Sequence, residues 1–316
     1  MNLLKNNSVD FVHLQCQSEY SVKNSLVRVS NLIEHVKEAG MKSIALTDDM
    51  SLFSAIKFYQ KAINLGIKPI IGAKISIADD LGFYDVILLC QNHDGYLNLS
   101  ELISKAYLSE KEAFTISISE EQLEHHNSGL IMIASPISSD ISKLLLSNEF
   151  ELAKNKILEW KNIFDDRYYM AIQRTNRISD ESLLNLVIGL GVEFEVPIVA
   201  TNDVQFLNKS DFEAHEARIC IAEGRLLDDT RRVKNFSDSQ YLKTSEEMSL
   251  LFEDYPQVIE NTCEIAKRCN LHFELFQKNY LPIFPTPEGM TIAGFFSEES
   301  KKGLEVRLKD LNVDQK

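Results

Sequence analysis

Polar residues able to do chemistry gather where short β-branched runs end. Gln15 and Gln17 follow the run Phe11 to Leu14, and Thr47, Asp48 and Asp49 follow Ser43 to Leu46. Lys74 lies in the run Pro69 to Ile75, and Thr201, Asn202, Asp203, Val204 and Gln205 follow Ile198 to Ala200. Aspartates at several strand ends suit a hard metal ion or a sugar phosphate, because hard cations take carboxylate oxygens. The same side chains also cap helices, so both readings stand. His13, just before Gln15, reads as a core or supporting histidine. His125 and His126 occupy a polar turn, His93 begins a turn, and His215 follows Asp211 at the i, i+4 spacing of a local helical pair. Cys16, Cys90, Cys220, Cys263 and Cys269 are odd in number and form no CxxC pair, which predicts reduced thiols in a cytoplasmic chain.

The elements that must position these groups alternate. Further apolar runs lie at Val86 to Leu89, Leu130 to Ala134 and Tyr168 to Ile172. Between runs, Leu32, Ile33, Val36 and Ala39 share a helix face, as do Phe53, Ile56, Tyr59 and Ile63, and Leu99, Leu102, Ile103 and Ala106. Gly40 and Gly66 stand where helix C-caps belong. Strands alternating with helices predict a parallel sheet with right-handed crossovers. Such a sheet needs both faces covered, which favours a closed or nearly closed barrel over an open sheet. In a β/α barrel the chemistry sits at the C-terminal ends of the strands, where the polar residues above lie. Helical patterns follow at 211–222, 245–252 and 256–269. The proline-rich stretch 281–289 reads as a linker, and 295–311 as an amphipathic helix without a partner, as in a chain cut from something longer.

The composition is that of a globular protein, with 44% hydrophobic and 25% charged residues. No stretch reaches the ~18 uninterrupted apolar residues of a membrane helix, and residues 1–11 lack a signal-peptide core. Forty-seven acidic against 33 basic residues leave a net charge of −14, which argues against a surface that grips DNA phosphates. The small basic groups Arg231, Arg232 and Lys234, and Lys301 with Lys302, read as solvated faces.

Several stretches resemble bacterial DNA polymerase III alpha subunits. Phe11 to Ser21 (FVHLQCQSEYS) resembles that family's opening FVHLHxHTEYS, and Ala45 to Asp49 (ALTDD) its ALTDH. Gly66 to Lys74 (GIKPIIGAK) is similar to GIKPIIGxE, Asn92 to Leu99 to NxxGYxNL, and Ile103 to Tyr107 to ISKAY. Pro197 to Val204 resembles PxVATNDV, and the stretch from Glu260 to Cys269 resembles the close of the family's first domain. These matches are collinear over nearly the whole chain.

The resemblance implies a polymerase-and-histidinol-phosphatase (PHP) domain over residues 1–275: a distorted, TIM-like, seven-stranded β/α barrel of the α/β class. Residues 276–316 would form a linker and the truncated start of the polymerase palm. The parent subunit would be a DNA-directed DNA polymerase, a nucleotidyltransferase of DNA replication with its magnesium-dependent centre outside this chain. Working PHP sites hold two or three divalent metals. Carried over position by position, the paired histidines are Gln15 and Gln17, the next aspartate is Asn24, and the histidine of TDH is Asp49. The glutamate of GxE is Lys74, a further histidine falls at Asp85 by a looser match, and a cysteine ligand at Pro136. Asp203 is kept, and its partner histidine is Gln205. Asp49 and Asp85 retain some capacity to coordinate. Gln is a weak neutral donor, Pro has none, and Lys74 puts positive charge where cations would sit. The resemblance therefore implies a degenerate site with no metal or cofactor, and a structural domain that contacts the rest of the polymerase and docks its proofreading exonuclease (epsilon) subunit. A residual metal-dependent phosphoesterase or 3′–5′ exonuclease, and a free-standing small-molecule-binding barrel, are the alternatives. Among the three expected carboxylates, Lys74 is expected nearest Asp203.

Overall fold

The computed structural model describes residues 10–79, 82–109, 115–229, 231–275, 282 and 284–310. The chain divides into two compact units, Met1–His272 and Phe273–Lys316. The strands of the first unit are β1 (Ser43–Asp49), β2 (Lys68–Asp79), β3 (Gly82–Cys90), β4 (Ile118–Ser119), β5 (Leu130–Ala134), β6 (Tyr168–Gln173) and β7 (Ile198–Thr201). Its helices are α1 (Val29–Glu38), α2 (Ala55–Leu65), α3 (His93–Leu108), α4 (Glu120–His125), α5 (Asp140–Leu146), α6 (Phe150–Phe164), α7 (Asp180–Glu193), α8 (Phe212–Glu223), α9 (Ser245–Leu251) and α10 (Pro256–Arg268). The second unit carries α11 (Ile292–Asp310), with Phe284 stacked on Phe295 before it at 5.6 Å between ring centroids. Leu311 of the expected helix, and Leu281 and Ile283 of the expected linker, lie outside the described residues.

The seven strands form one sheet in the order β1-β2-β3-β5-β6-β7, with β4 added beside β2. The expected α/β barrel is present, but it is not wholly parallel. Strand β3 runs antiparallel to both β2 and β5, while the other pairs are parallel. The reason is the length of the connection: β2 ends at Asp79 and β3 starts at Gly82, whereas a parallel pair needs a crossover of a dozen or more residues. Gly82, at φ 129°, takes a backbone conformation that other residues rarely adopt.

The expected strand Phe11 to Leu14 is an extended segment that closes the barrel. His13 O accepts from Ala45 N on β1 at 2.9 Å, and Cys16 O from Thr47 N at 2.8 Å. On its other side Gln15 O accepts from Val204 N, and Gln17 N donates to Val204 O, both at 3.1 Å just past β7. Inward side chains recur with period two: Val12 and Leu14, Ile87 and Leu89, Ile131 and Ile133, Tyr169 and Ala171. Ile265 and Ala266 of α10 join the same core, and Thr262 Oγ1 accepts from Val12 N at 3.1 Å, so α10 packs directly against the barrel interior. Burying each such aliphatic side chain contributes ~1.5–3 kcal/mol, and this apolar filling holds the strand ends that carry the polar residues.

The expected faces of α1 and α3 are the buried ones, though Ala39 lies past the end of α1. On α2 the expectation is corrected. Ala55, Phe58, Tyr59 and Ala62 face inward, whereas Phe53 is 79% exposed. Phe53 precedes the helix, so the 3.6-residue period counts from Ala55. Gly66, at φ 75°, caps α2 as expected. Arg232 is also corrected: it is buried and ion-paired to Glu216 of α8, not solvated. All five cysteines are free, and no helix among the described residues is long and apolar enough to cross a membrane.

Candidate functional site

The β1–β2 register places Asp49 opposite Lys74, and the β2–β3 register places Asp85 opposite Ser76, two residues from Lys74. Residues i and i+2 share a face of a strand, so the three ionisable side chains meet on one side of the sheet. Lys74 Nζ lies 3.4 Å from Asp85 Oδ2 and 3.6 Å from Asp49 Oδ1. Ser76 Oγ donates to Asp85 Oδ1 at 2.7 Å. Burial alone would lower the Lys74 pKa, but Asp85, Asp49 and Asp203 together raise it above its ordinary value, so the ammonium stays charged. Asp49 is also raised, first by burial and then by Asp85, against the opposing pull of Lys74. An isolated ion pair would lower the acid. Here burial, the largest cause, outweighs the pull of Lys74.

Asp203 is not the ion-pair partner of Lys74, contrary to expectation. It accepts from Gln15 Nε2 at 2.9 Å and Gln205 Nε2 at 2.8 Å on Oδ1, and from Gln240 Nε2 at 2.8 Å on Oδ2. Arg177 Nη2 stands 3.6 Å from the same Oδ2. A carboxylate already ringed by three amides and a guanidinium has little need of a further ammonium. Lys74 thus acts on Asp203 only as a more distant charge. Asp203 itself has φ 47°, an uncommon backbone conformation for a non-glycine residue, where β7 gives way to the loop.

The remaining positions divide. Gln15, Gln17 and Gln205 are buried, and each keeps a side-chain oxygen with no partner among the described residues. Asn24 is tied through its backbone, its N–H donating to Ser21 O and its carbonyl accepting from His215 Nε2 at 2.6 Å. Pro136 follows β5, and its carbonyl accepts from Ser142 Oγ at 2.9 Å. Asp48 is a loop tie, taking hydrogen bonds from Ser18 N and Oγ, Ser21 Oγ and Ser54 Oγ. Lys243 donates to Asn202 Oδ1 at 2.9 Å, which braces the residue before Asp203.

Sequence reasoning missed Arg177 and Gln240. Arg177 follows β6, and the rule that chemistry sits at C-terminal strand ends would have reached it had the residues after Gln173 been read as those after Ala200 were. Gln240 arrives from a loop far along the chain, and no local spacing marks it. His13 is buried as expected, with Nε2 against Lys243 O at 2.8 Å, and burial pulls its pKa down to about 4. His215 is corrected. It packs among Phe206 and Phe236 and bonds Asn24, whereas Asp211 caps the preceding turn through Asn208. His126, just past the end of α4, sits beside Lys105 and Glu101.

As a donor set, three carboxylates interrupted by an ammonium and a guanidinium, with neutral amides in place of imidazoles, do not fit a divalent-metal cluster. No group of three or more His, Cys, Asp or Glu residues able to hold a metal occurs among the described residues.

The PHP domain model matches residues 13–175, more than half of the chain, and takes in Gln15 through Pro136. The chain belongs to the PHP domain family. The DNA polymerase III subunit alpha of Pseudomonas fluorescens is 44% identical over 95% of this PHP chain and 26% of its own length. That of Escherichia coli K12 is 38% identical over 96% of this chain and 26% of its own. The PHP chain thus spans about a quarter of the length of these curated relatives. A solved amidohydrolase from Chromobacterium violaceum aligns with 66% of this chain and 96% of its own, at a TM-score of 0.48 and 11% identity.

Proposed function

We propose that this chain is the PHP domain of a replicative DNA polymerase catalytic subunit and serves as a structural and docking domain whose phosphoesterase site has been lost. The observation that carries the reading is the Lys74 ammonium held between Asp85 and Asp49. A side-chain cation in contact with the carboxylates repels a divalent ion approaching them, and its raised pKa keeps it charged at neutral pH. Without a polarising metal the site lacks the Lewis acid by which a phosphoesterase of this kind would ionise an attacking water near neutral pH. DNA synthesis, with its magnesium, belongs to other parts of the parent subunit, and this chain holds no cofactor of its own. Its partners are the remainder of the polymerase chain and the proofreading exonuclease (epsilon) subunit. With a net charge of −14 it takes little part in holding DNA.

Isothermal titration with the proofreading subunit of the same polymerase tests the docking role. Saturable heat supports it, and no detectable heat overturns it. A residual metal-dependent phosphoesterase or 3′–5′ exonuclease is favoured by one observation, the convergence of Asp49 and Asp85. It is tested by nucleotide release with added manganese: release that Asp203→Ala abolishes would establish the enzyme and remove the loss.

A further inference from the structure

Cys16 and Val204 face each other across a parallel bridge where the first segment meets the end of β7. In extended strands the residues on either side of a bridged pair point together to the opposite face. Those residues are Gln15 and Gln17 on one chain segment, and Asp203 and Gln205 on the other. The hydrogen bonds agree, since Gln15 and Gln205 both donate to Asp203 Oδ1, at 2.9 and 2.8 Å. Each amide nitrogen so engaged leaves its oxygen on the same planar group without a donor. Gln15 Oε1, Gln17 Oε1 and Gln205 Oε1 are all buried and unpartnered among the described residues, in residues 4%, 1% and 2% exposed. A buried acceptor left unsatisfied costs about 1–3 kcal/mol, and three from one patch call for a shared partner.

The local charge points to the kind of partner. Asp49, Asp85 and Asp203 bring three negative charges and Lys74 and Arg177 two positive ones, Lys74 pairing with Asp49 and Asp85 and Arg177 with Asp203. Asp48, saturated by hydroxyl and amide donors, and Lys23, which acts on Asp49 from beyond ion-pair distance, offset each other. One negative charge is left over. Neutral carbonyl-type oxygens beside a single net negative charge are the surroundings in which an alkali cation exchanges its hydration shell. A divalent ion gives up its hydration shell at far greater cost, which neutral amide oxygens do not repay.

We propose that the barrel mouth binds one monovalent alkali cation, potassium or sodium, on the amide oxygens of Gln15, Gln17 and Gln205 beside Asp203. This rests on the reading that the divalent site is lost, and it assigns the collapsed ligand set a chemistry of its own. The ion completes the seam between the first segment and β7, so its effect is on stability.

The test is thermal unfolding of the 316-residue chain in N-methylglucamine chloride, then in potassium, sodium or manganese chloride at matched ionic strength. An ion at about ten times its Kd multiplies the folding constant about elevenfold, so Tm should rise by roughly 3–5 °C with potassium or sodium. The larger response identifies the ion. Gln17→Met and Gln205→Met, if cooperatively folded, should lose the response. Thallous ion soaked into crystals of the unmodified chain should give an anomalous peak among the three oxygens even if the variants fail to fold. Equal Tm in all salts with no thallium peak means that ordered water satisfies the oxygens and overturns the proposal alone. An undiminished alkali response in both variants overturns it too. A manganese response in place of the alkali response overturns both this inference and the loss of the divalent site.

Discussion

Lys74 stands directly across the β1–β2 register from Asp49, and its ammonium reaches that carboxylate at 3.6 Å while touching Asp85 at 3.4 Å on the other side. One side chain thereby links three consecutive strands at the end where their charges converge. Removing it leaves two carboxylates facing each other in a partly shielded site.

Lys74→Met should lower stability by about 1–3 kcal/mol, less than the ~3–5 kcal/mol of a fully buried pair because water reaches both partners. Gln15→Ala should cost less, since Gln205, Gln240 and Arg177 still hold Asp203. Urea unfolding of the two variants checks the order. A Lys74→Met midpoint equal to that of the unmodified chain would end the replacement-cation account.

Divalent metal should be absent from Gln15, Gln17, Asn24, Asp49, Lys74, Asp85, Pro136, Asp203 and Gln205. Elemental analysis after mild dialysis should find well under one zinc, manganese or iron per chain. A Zn, Mn or Mg ion refined there with three protein ligands at ~2.0–2.3 Å would contradict this. Phosphoesterase activity should equal that of a metal-free control.

Arg177 and Asp203 should couple. Arg177→Met and Asp203→Asn each disturb one contact, and the double variant should be less damaged than the sum by roughly 0.5–1.5 kcal/mol. Strict additivity would mean that the 3.6 Å approach carries no energy.

His13 sets an acid limit. Its folded pKa, depressed by burial to about 4, lies below the ordinary 6.5 of the unfolded chain. The unfolded state therefore takes up the proton first. The stability this contributes is complete above about pH 6.5 and is lost as pH falls towards about 4, at most about 3 kcal/mol. Asp140, raised to about 6 mainly by burial, works the other way: its contribution is full below its unfolded value of 3.8 and is lost as pH rises through about 6. His13→Gln should flatten the decline of Tm between pH 6.5 and 4.5. An unchanged slope would show that other groups govern it.

Much of this was legible in the chain itself, for identifiable reasons. The runs 43–46, 69–75, 86–89, 130–134, 168–172 and 198–200 are buried on both faces, so they read as continuous apolar strands. Polar residues at their ends stood out by contrast, which exposed Asp49, Lys74, Asp203 and Gln205. Strand direction was not legible, because a buried antiparallel strand such as β3 has the same composition as a parallel one. The α2 face was misread because Phe53 lies too early for a helix that starts at Ala55. Arg177 and Gln240 reach Asp203 only through the tertiary path of their loops, and no local period records that.

The segment that closes the barrel precedes in sequence both of the strands it joins. Gln15 meets Asp203 across 188 residues, and Val12 meets Thr262 across 250. During synthesis this segment can pair with β1 early, but its other edge stays open until β7 and α10 have emerged. Loop closure over such a span must be met before the seam repays it. A chain that stops short of β7 leaves two sheet edges open and lacks the Val199, Ile265 and Ala266 side chains that share a core with Val12 and Leu14, the kind of surface through which chains aggregate.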